Sequence, residues 1–469
     1  MRRMRNFTAG ITAASAFAAL AAGSVPAGAS AKEAPPVPAA PRPFALPEMT
    51  AYTLPNGMHV TLIPHGNVPK VTVLASVWTG NIDDGENVWL ADMTSELMQK
   101  GAGGRDASAL AEAAAAMGGG ISLSTGLNQT NATMDVLSES APEAVVLVAD
   151  LLRRPDFAPG ELDKVRADLL RNLTVAKSTP GSIADEAFAS LMYPGHPYGR
   201  VFPTAEQLSG YSLDQVKGFH AANFGAARTH VYVVGQFDQA AVRTAIEKAF
   251  SDWKAGAPAT SMPAPADTAG KVVLIDRPGA PQSTLVVGKR ITKDGDKVDF
   301  KAASTLLGGY FSSRITRNIR EDKGYTYSPH AVNSQRVDGA YWAEEADVTA
   351  EATGPSITEI YKEIRRIQDE APTSAEVQGI KNYMNGTFVI GLSSRGGMAG
   401  SLANLDLLGL GARFMSDYVG KVSALTAADL QTAARRELAP DKMSVVVVGP
   451  QEIVRSQLEQ VPEVAGRLD

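Results

Sequence analysis

Any imidazole-based metal site in this chain of 469 residues must be drawn from six histidines: His59, His65, His196, His220, His230 and His330. There is no cysteine, which excludes thiolate zinc sites, iron–sulfur clusters, disulfides and cysteine nucleophiles. No two histidines stand at i, i+3 or i+4 spacing, so none share a helix face. His59 and His65 flank a strand and its turn, His196 sits in a Pro/Gly turn, His220 falls on a helix and His230 adjoins a strand. Each reads first as a surface or capping residue. Asp92 and Glu96, four apart on a helical pattern, could hold a hard cation through oxygen. Without a third ligand they read first as a solvated helix face. The glycine-rich stretches at Gly101–Gly104, Gly118–Gly120 and Gly308-Gly309 lack the spacing of a phosphate-cradling loop, and turn roles are expected. Arg395-Gly396-Gly397 suggests a mobile loop.

The elements that would position these residues occur twice. Val231–Gly235 and Val445–Gly449 are strand-like runs ending in glycine, the glycine in each 23 residues after a capping-box start, Ser212 or Thr426. Val60–Ile63 and Val272–Ile275 open the two copies at an offset of 212. Glu161 and Glu376 begin long helical patterns at an offset of 215. Four landmarks in one order imply a duplicated unit. The expected fold class is α+β: two homologous halves, residues 48–254 and 271–469, each a mostly antiparallel sheet with helices packed on one side. The Ala/Pro-rich segment 255–270 reads as a linker.

The first residues read as an address. Arg2, Arg3 and Arg5 precede an Ala-rich apolar run and an Ala29-Ser30-Ala31 site, the pattern of a cleaved secretory signal peptide over residues 1–31, cut after Ala29 or Ala31. Residues 32–47 read as an extended, unpacked Pro/Ala-rich tether. Export, to a bacterial periplasm, is the expectation, with no membrane span after cleavage. Cleavage would move the formal charge from −6 to −9 by removing three arginines. That balance excludes a generally basic nucleic-acid binder.

Several stretches carry a family resemblance: Thr53–Gly57, Gly195–Arg200, Leu274–Ser283 and Leu307–Arg314, and above all Ile319–Ser328. Over about Met49 to Val461 the chain resembles the pitrilysin/insulinase family of zinc metallopeptidases, in its processing-peptidase-like bacterial branch. The resemblance implies one zinc held by an inverted H-x-x-E-H helix of the first half, with a Glu roughly 76 residues on, a count that runs here from Glu96 to Asn172. Two His at i, i+4 hold such a metal from one helix face, and the Glu between them activates its water. This chain departs at all four positions. Asp92 and Glu96 stand for the two His, Ser95 for the catalytic Glu and Asn172 for the third ligand. Ser122-Leu123 stands where active halves read Asn-Ala.

What the resemblance retains is Arg320 and Tyr327, matching the family's Arg-x6-Tyr pair. There the Tyr donates to the developing oxyanion and the Arg holds a substrate carbonyl. The implied function is a zinc-less, non-catalytic subunit of a periplasmic heterodimeric peptidase. It would bind no metal itself and would supply Arg320 and Tyr327 to a homologous partner that has an intact H-x-x-E-H motif, the zinc and a peptide substrate. The competing readings are a structural or peptide-binding pseudopeptidase, with the pair as packing residues, and a lone metallopeptidase with a new site.

Overall fold

The computed structural model describes residues 44–266, 270–293 and 295–468; the signal-peptide reading and most of the tether lie outside them. The first half opens with strands β1 (Thr50–Thr53), β2 (His59–Pro64) and β3 (Lys70–Val77). Helix α1 (Leu90–Met98), the short pair β4 (Gly101–Ala102) and β5 (Arg105–Asp106), and α2 (Ala107–Ala116) follow. Next come β6 (Ile121–Thr125), β7 (Thr130–Leu137), α3 (Ala141–Arg153), α4 (Pro159–Ser178) and α5 (Pro180–Met192). The half closes with α6 (Ala205–Gly210), α7 (Leu213–Asn223), β8 (Thr229–Gly235) and α8 (Gln239–Phe250).

The second half repeats the plan. Strands β9 (Val272–Asp276) and β10 (Gln282–Arg290) lead to α9 (Asp299–Leu307) and a π-helix, Thr316–Asp322. Then follow β11 (His330–Gln335), β12 (Ala340–Thr349), α10 (Thr353–Asp369), α11 (Ser374–Leu392) and α12 (Arg395–Leu407). The last elements are α13 (Gly411–Ala424), α14 (Ala427–Glu437), β13 (Ser444–Gly449) and α15 (Gln451–Leu458).

The sheets share a five-strand order, to which the first adds β1 at one edge. The first runs β1-β2-β8-β3-β7-β6 and the second β11-β12-β10-β13-β9. In each, an early strand lies parallel to the late glycine-ended strand: β2 to β8, with Pro64 facing Gly235, and β9 to β13, with Asp276 facing Gly449. Every other pairing within the two sheets is antiparallel. Val231, Val233, Val445 and Val447 are fully buried, as central strands require. The predicted caps form: Ser212 accepts from Gln215 N at 3.2 Å, and Thr426 from Asp429 N at 3.3 Å.

Each sheet carries helices of its own half on one face. The other face is covered by a helix of the opposite half. From the first half, α5 packs Ala184, Phe188 and Met192 onto Val286 of β10 and Val446 and Val448 of β13. Its counterpart α12 packs Met398, Ala399 and Leu402 onto Leu74 of β3 and Tyr232 and Val234 of β8. Fully burying a Leu, Met or Phe side chain contributes about 1.5–3 kcal/mol, so this reciprocal exchange, rather than the linker, joins the halves. Arg395, read as part of a loop, instead opens α12 and makes an ion pair at 2.9 Å with Asp135 of β7. Phe44 and Leu46, read as unpacked tether, pack on the same apolar cluster, Phe44 edge-on to Phe388 at 5.4 Å. No helix among the described residues is long and apolar enough to cross a membrane.

Candidate functional site

Arg320 lies on the π-helix, a rare form that recurs at functional sites. Asn318 ties this helix to α10 by donating to Glu359 and Glu363 at 2.9 and 3.0 Å. Just upstream, Arg314 makes a two-pronged bond to Glu376 on α11, at 2.8 and 3.0 Å. Burial would raise the Glu376 pKa, but the bonds from Arg314 and from Thr373 N outweigh it and hold the carboxyl down to about 2. Gly324, at φ 68°, then turns the chain back, and Tyr325 N donates to Ile319 O at 2.8 Å. Thr326 anchors the returning segment beside β12 by donating to Asp347 O at 2.6 Å.

That turn brings Arg320 and Tyr327 together. The guanidinium carbon lies 4.9 Å from the Tyr327 ring centroid and 4.3 Å from that of Phe311, a cation between two aromatic faces. Its Nε is 3.2 Å from Glu321. Tyr327 is 79% exposed and Phe311 65%. Tyr327 is therefore not a core tyrosine, the default reading of a lone aromatic. Its hydroxyl has no hydrogen-bond partner among the described residues and is free to donate outward.

The first-half positions are arranged in the opposite sense. Helix α1 begins at a turn where Asp84 accepts from Trp89 N at 2.9 Å and Ala91 N at 2.8 Å. Asn81 spans two carboxylates, donating to Asp84 at 3.0 Å and to Asp92 at 2.6 Å. Burial pushes Asp84 up to about 7, against the pull of its Asn81 and Ala91 bonds, and burial also raises Asp92. Asp92 is half-buried and committed, not solvated. The buried Ser95 shares a short hydrogen bond with Thr125 of β6. Glu96 is exposed, and so is Asn172 on α4, which packs beside α1. Gln99 Oε1 accepts from Leu123 N at 3.2 Å, holding the edge strand β6 against α1.

These residues do not fit a zinc ion. No imidazole stands at any of the four positions, and the Asp92 and Ser95 side chains already have protein partners. Among the described residues, no three His, Cys, Asp or Glu side chains converge to hold a metal. The histidines serve structure: His196 accepts from Tyr198 N at 3.0 Å, and His220 bonds Leu152 O at 2.8 Å. The fold does bring His59 and His230 together, their rings 5.6 Å apart at the parallel β2–β8 pair. Burial pushes His230 down to about 3, so it stays neutral between Thr61 and Tyr232.

Comparison with known proteins follows the same division. Residues 60–203 match the family model "Insulinase (Peptidase family M16)", and residues 210–384 match "Peptidase M16 inactive domain". The chain belongs to the insulinase family. Among its M16 relatives, the uncharacterized zinc protease YmxG of Bacillus subtilis is 22% identical over 405 residues, spanning 85% of this chain and 98% of the relative. An uncharacterized zinc protease of Streptomyces coelicolor is 24% identical over 411 residues, covering 85% of this chain and 89% of its own. The crystal structure of a peptidase M16 inactive domain from Pseudomonas fluorescens superposes with a TM-score of 0.80 at 21% identity, over 86% of this chain and 98% of that one. A protease from Helicobacter pylori gives 0.80 at 20% identity, over 87% of this chain and all of that one. Within this M16 chain, the first matched segment contains the four altered positions and the second contains Arg320 and Tyr327.

Asn81, Asp84, Thr125 and Phe311 were not singled out from the sequence. For Asp84 a signal existed, an acidic turn just ahead of an apolar helix. The other three are legible only once β6 and the π-helix are in place.

Proposed function

We propose that this chain is the zinc-less subunit of an exported heterodimeric M16 peptidase. Its partner would be a homologous subunit with an intact H-x-x-E-H motif, which holds the zinc and the water-activating Glu. This chain contributes Tyr327 as a hydrogen-bond donor to the developing oxyanion and Arg320 as the donor that holds a substrate carbonyl. The observation that carries the reading is the pair itself: adjacent, with the tyrosine exposed and its hydroxyl unused inside the chain. The edge strand β6 offers an unpaired side on which an extended peptide could add as a further strand. The acidic balance favours basic peptide segments, and the signal-peptide pattern supports a periplasmic location.

The test mixes this chain with a partner of similar length carrying H-x-x-E-H and follows peptide hydrolysis. Replacing Tyr327 by Phe lowers the rate of the mixed complex by about 10²–10³ at unchanged zinc content. An unchanged rate would make the pair packing residues and favour the structural, peptide-binding reading.

A further inference from the structure

A cavity of about 460 Å³ lies between the two halves, walled by residues of both and distinct from the Arg320–Tyr327 surface. Its volume is within the range of small-molecule sites. The walls are aromatic. Trp89 meets Phe202 edge-on at 5.8 Å, and Phe188 of α5 meets Tyr341 of β12 edge-on at 5.5 Å, across the seam. Trp89 is held at φ 68°, a left-handed conformation that costs a bulky residue energy. Two bonds keep it there, from its backbone N to Asp84 and from its indole N–H to Val201 O at 2.9 Å.

Two groups in this wall, Arg336 Nη1 and the Asp185 carboxylate, lack a hydrogen-bond partner among the described residues. Arg336 sits over the rings of Tyr193, Tyr198 and Tyr341, 5.0–5.1 Å from their centroids. Its Nη1 is buried with no acceptor among the described residues, a costly state for a cationic donor. Asp185, one turn before Phe188 on α5, has no hydrogen-bond donor among the described residues. It faces Glu345 of β12, whose only ion-pair partner among those residues is His330 at 3.3 Å. The cavity's other arginine, Arg200, is already paired with Glu86 at 2.7 Å.

We infer that this cavity binds a small zwitterion with an apolar or aromatic side chain, a free amino acid or dipeptide, whose carboxylate is received by Arg336 and whose ammonium is received by Asp185 and Glu345. Such a ligand supplies the acceptor that Arg336 Nη1 lacks and the donor that Asp185 lacks, beside the existing His330–Glu345 pair. It stacks its apolar body on the aromatic walls. An internal segment of a long peptide has neither terminal charge, so the site selects short peptides and free amino acids. The site is complete within this chain and needs no partner subunit.

The test is tryptophan fluorescence of the purified chain, with Trp89 in the wall as reporter, titrated with the dipeptide Phe-Ala. The control is its doubly blocked form, N-acetyl-Phe-Ala amide. Saturable binding of Phe-Ala is expected, about tenfold or more weaker for the blocked form and for Asp185→Asn or Arg336→Gln. Arg336 packs three tyrosines, so its variant is read only if its melting temperature is unchanged; the exposed Asp185→Asn carries the test otherwise. No saturation at millimolar Phe-Ala, equal binding of the blocked form, or unaltered binding by Asp185→Asn each overturns the inference.

Discussion

The two halves share a plan and differ in how they treat their polar groups. In the first, at the position where the family resemblance places a zinc, the two inward groups, Asp92 and Ser95, have found partners inside the chain. Asn81 joins Asp84 to Asp92, and Ser95 joins Thr125. In the second, the π-helix and the turn at Gly324 hold Arg320 against Tyr327 and leave the tyrosine hydroxyl unpaired and exposed. Buried polar groups must be satisfied. The first-half groups Asp92 and Ser95 are satisfied by neighbours, whereas the second half leaves the Tyr327 hydroxyl open. On the proposed function, the first arrangement is packing and the second is recognition.

The largest effect that could break this contrast is a gain of metal. Asp92→His, Ser95→Glu, Glu96→His and Asn172→Glu together should convert the chain from zinc-free to one zinc per chain, measured by atomic emission. If zinc does not bind, the four positions do not converge as the family's ligands do.

Next in size is stability. Asp84→Ala removes the acceptor at the start of α1 and one partner of Asn81, and should cost about 1–2 kcal/mol in denaturant unfolding. Tyr327→Phe should stay within about 0.5 kcal/mol, because an exposed hydroxyl without a partner contributes little. Reversed magnitudes would mean that the halves had been assigned the wrong roles.

The pH dependence sharpens the same point. Burial raises Asp84 in the folded chain to about 7, against an ordinary 3.8. Between those values the folded state binds the proton more tightly than the unfolded state does, so this group favours folding at the acid end and its contribution falls as pH rises toward 7. The melting temperature of Asp84→Asn, compared with the parent from pH 5 to 7, should show a flatter decline. A small loss is expected for Arg395→Ala, which removes a partly exposed ion pair to Asp135 between the halves and should cost about 0.5–1 kcal/mol in denaturant unfolding.

The duplication was legible because its signals are local. Glycine-ended valine runs and Ser212 and Thr426 caps depend on neighbours in sequence, and both copies formed the expected strands and helices. The exchange of α5 and α12 was not legible. Phe188 and Met398 mark apolar helix faces, but nothing local says which sheet a face will meet. Arg395 looked like a loop residue because two glycines follow it, and its partner Asp135 lies 260 positions away. The pairing of His59 with His230 was hidden for the same reason. The altered zinc positions could be read as altered, but their replacement network could not, since Asn81, Asp84 and Thr125 lie outside the motif. Arg320 and Tyr327 were visible only through the family resemblance; their spacing alone carries no chemistry.

The most direct test of the central claim is a zinc and turnover measurement on the purified chain alone and after addition of a partner carrying H-x-x-E-H. The account predicts a chain without stoichiometric zinc and without peptide hydrolysis by itself, and turnover that appears with the partner. One tightly bound zinc and hydrolysis by this chain alone would contradict it.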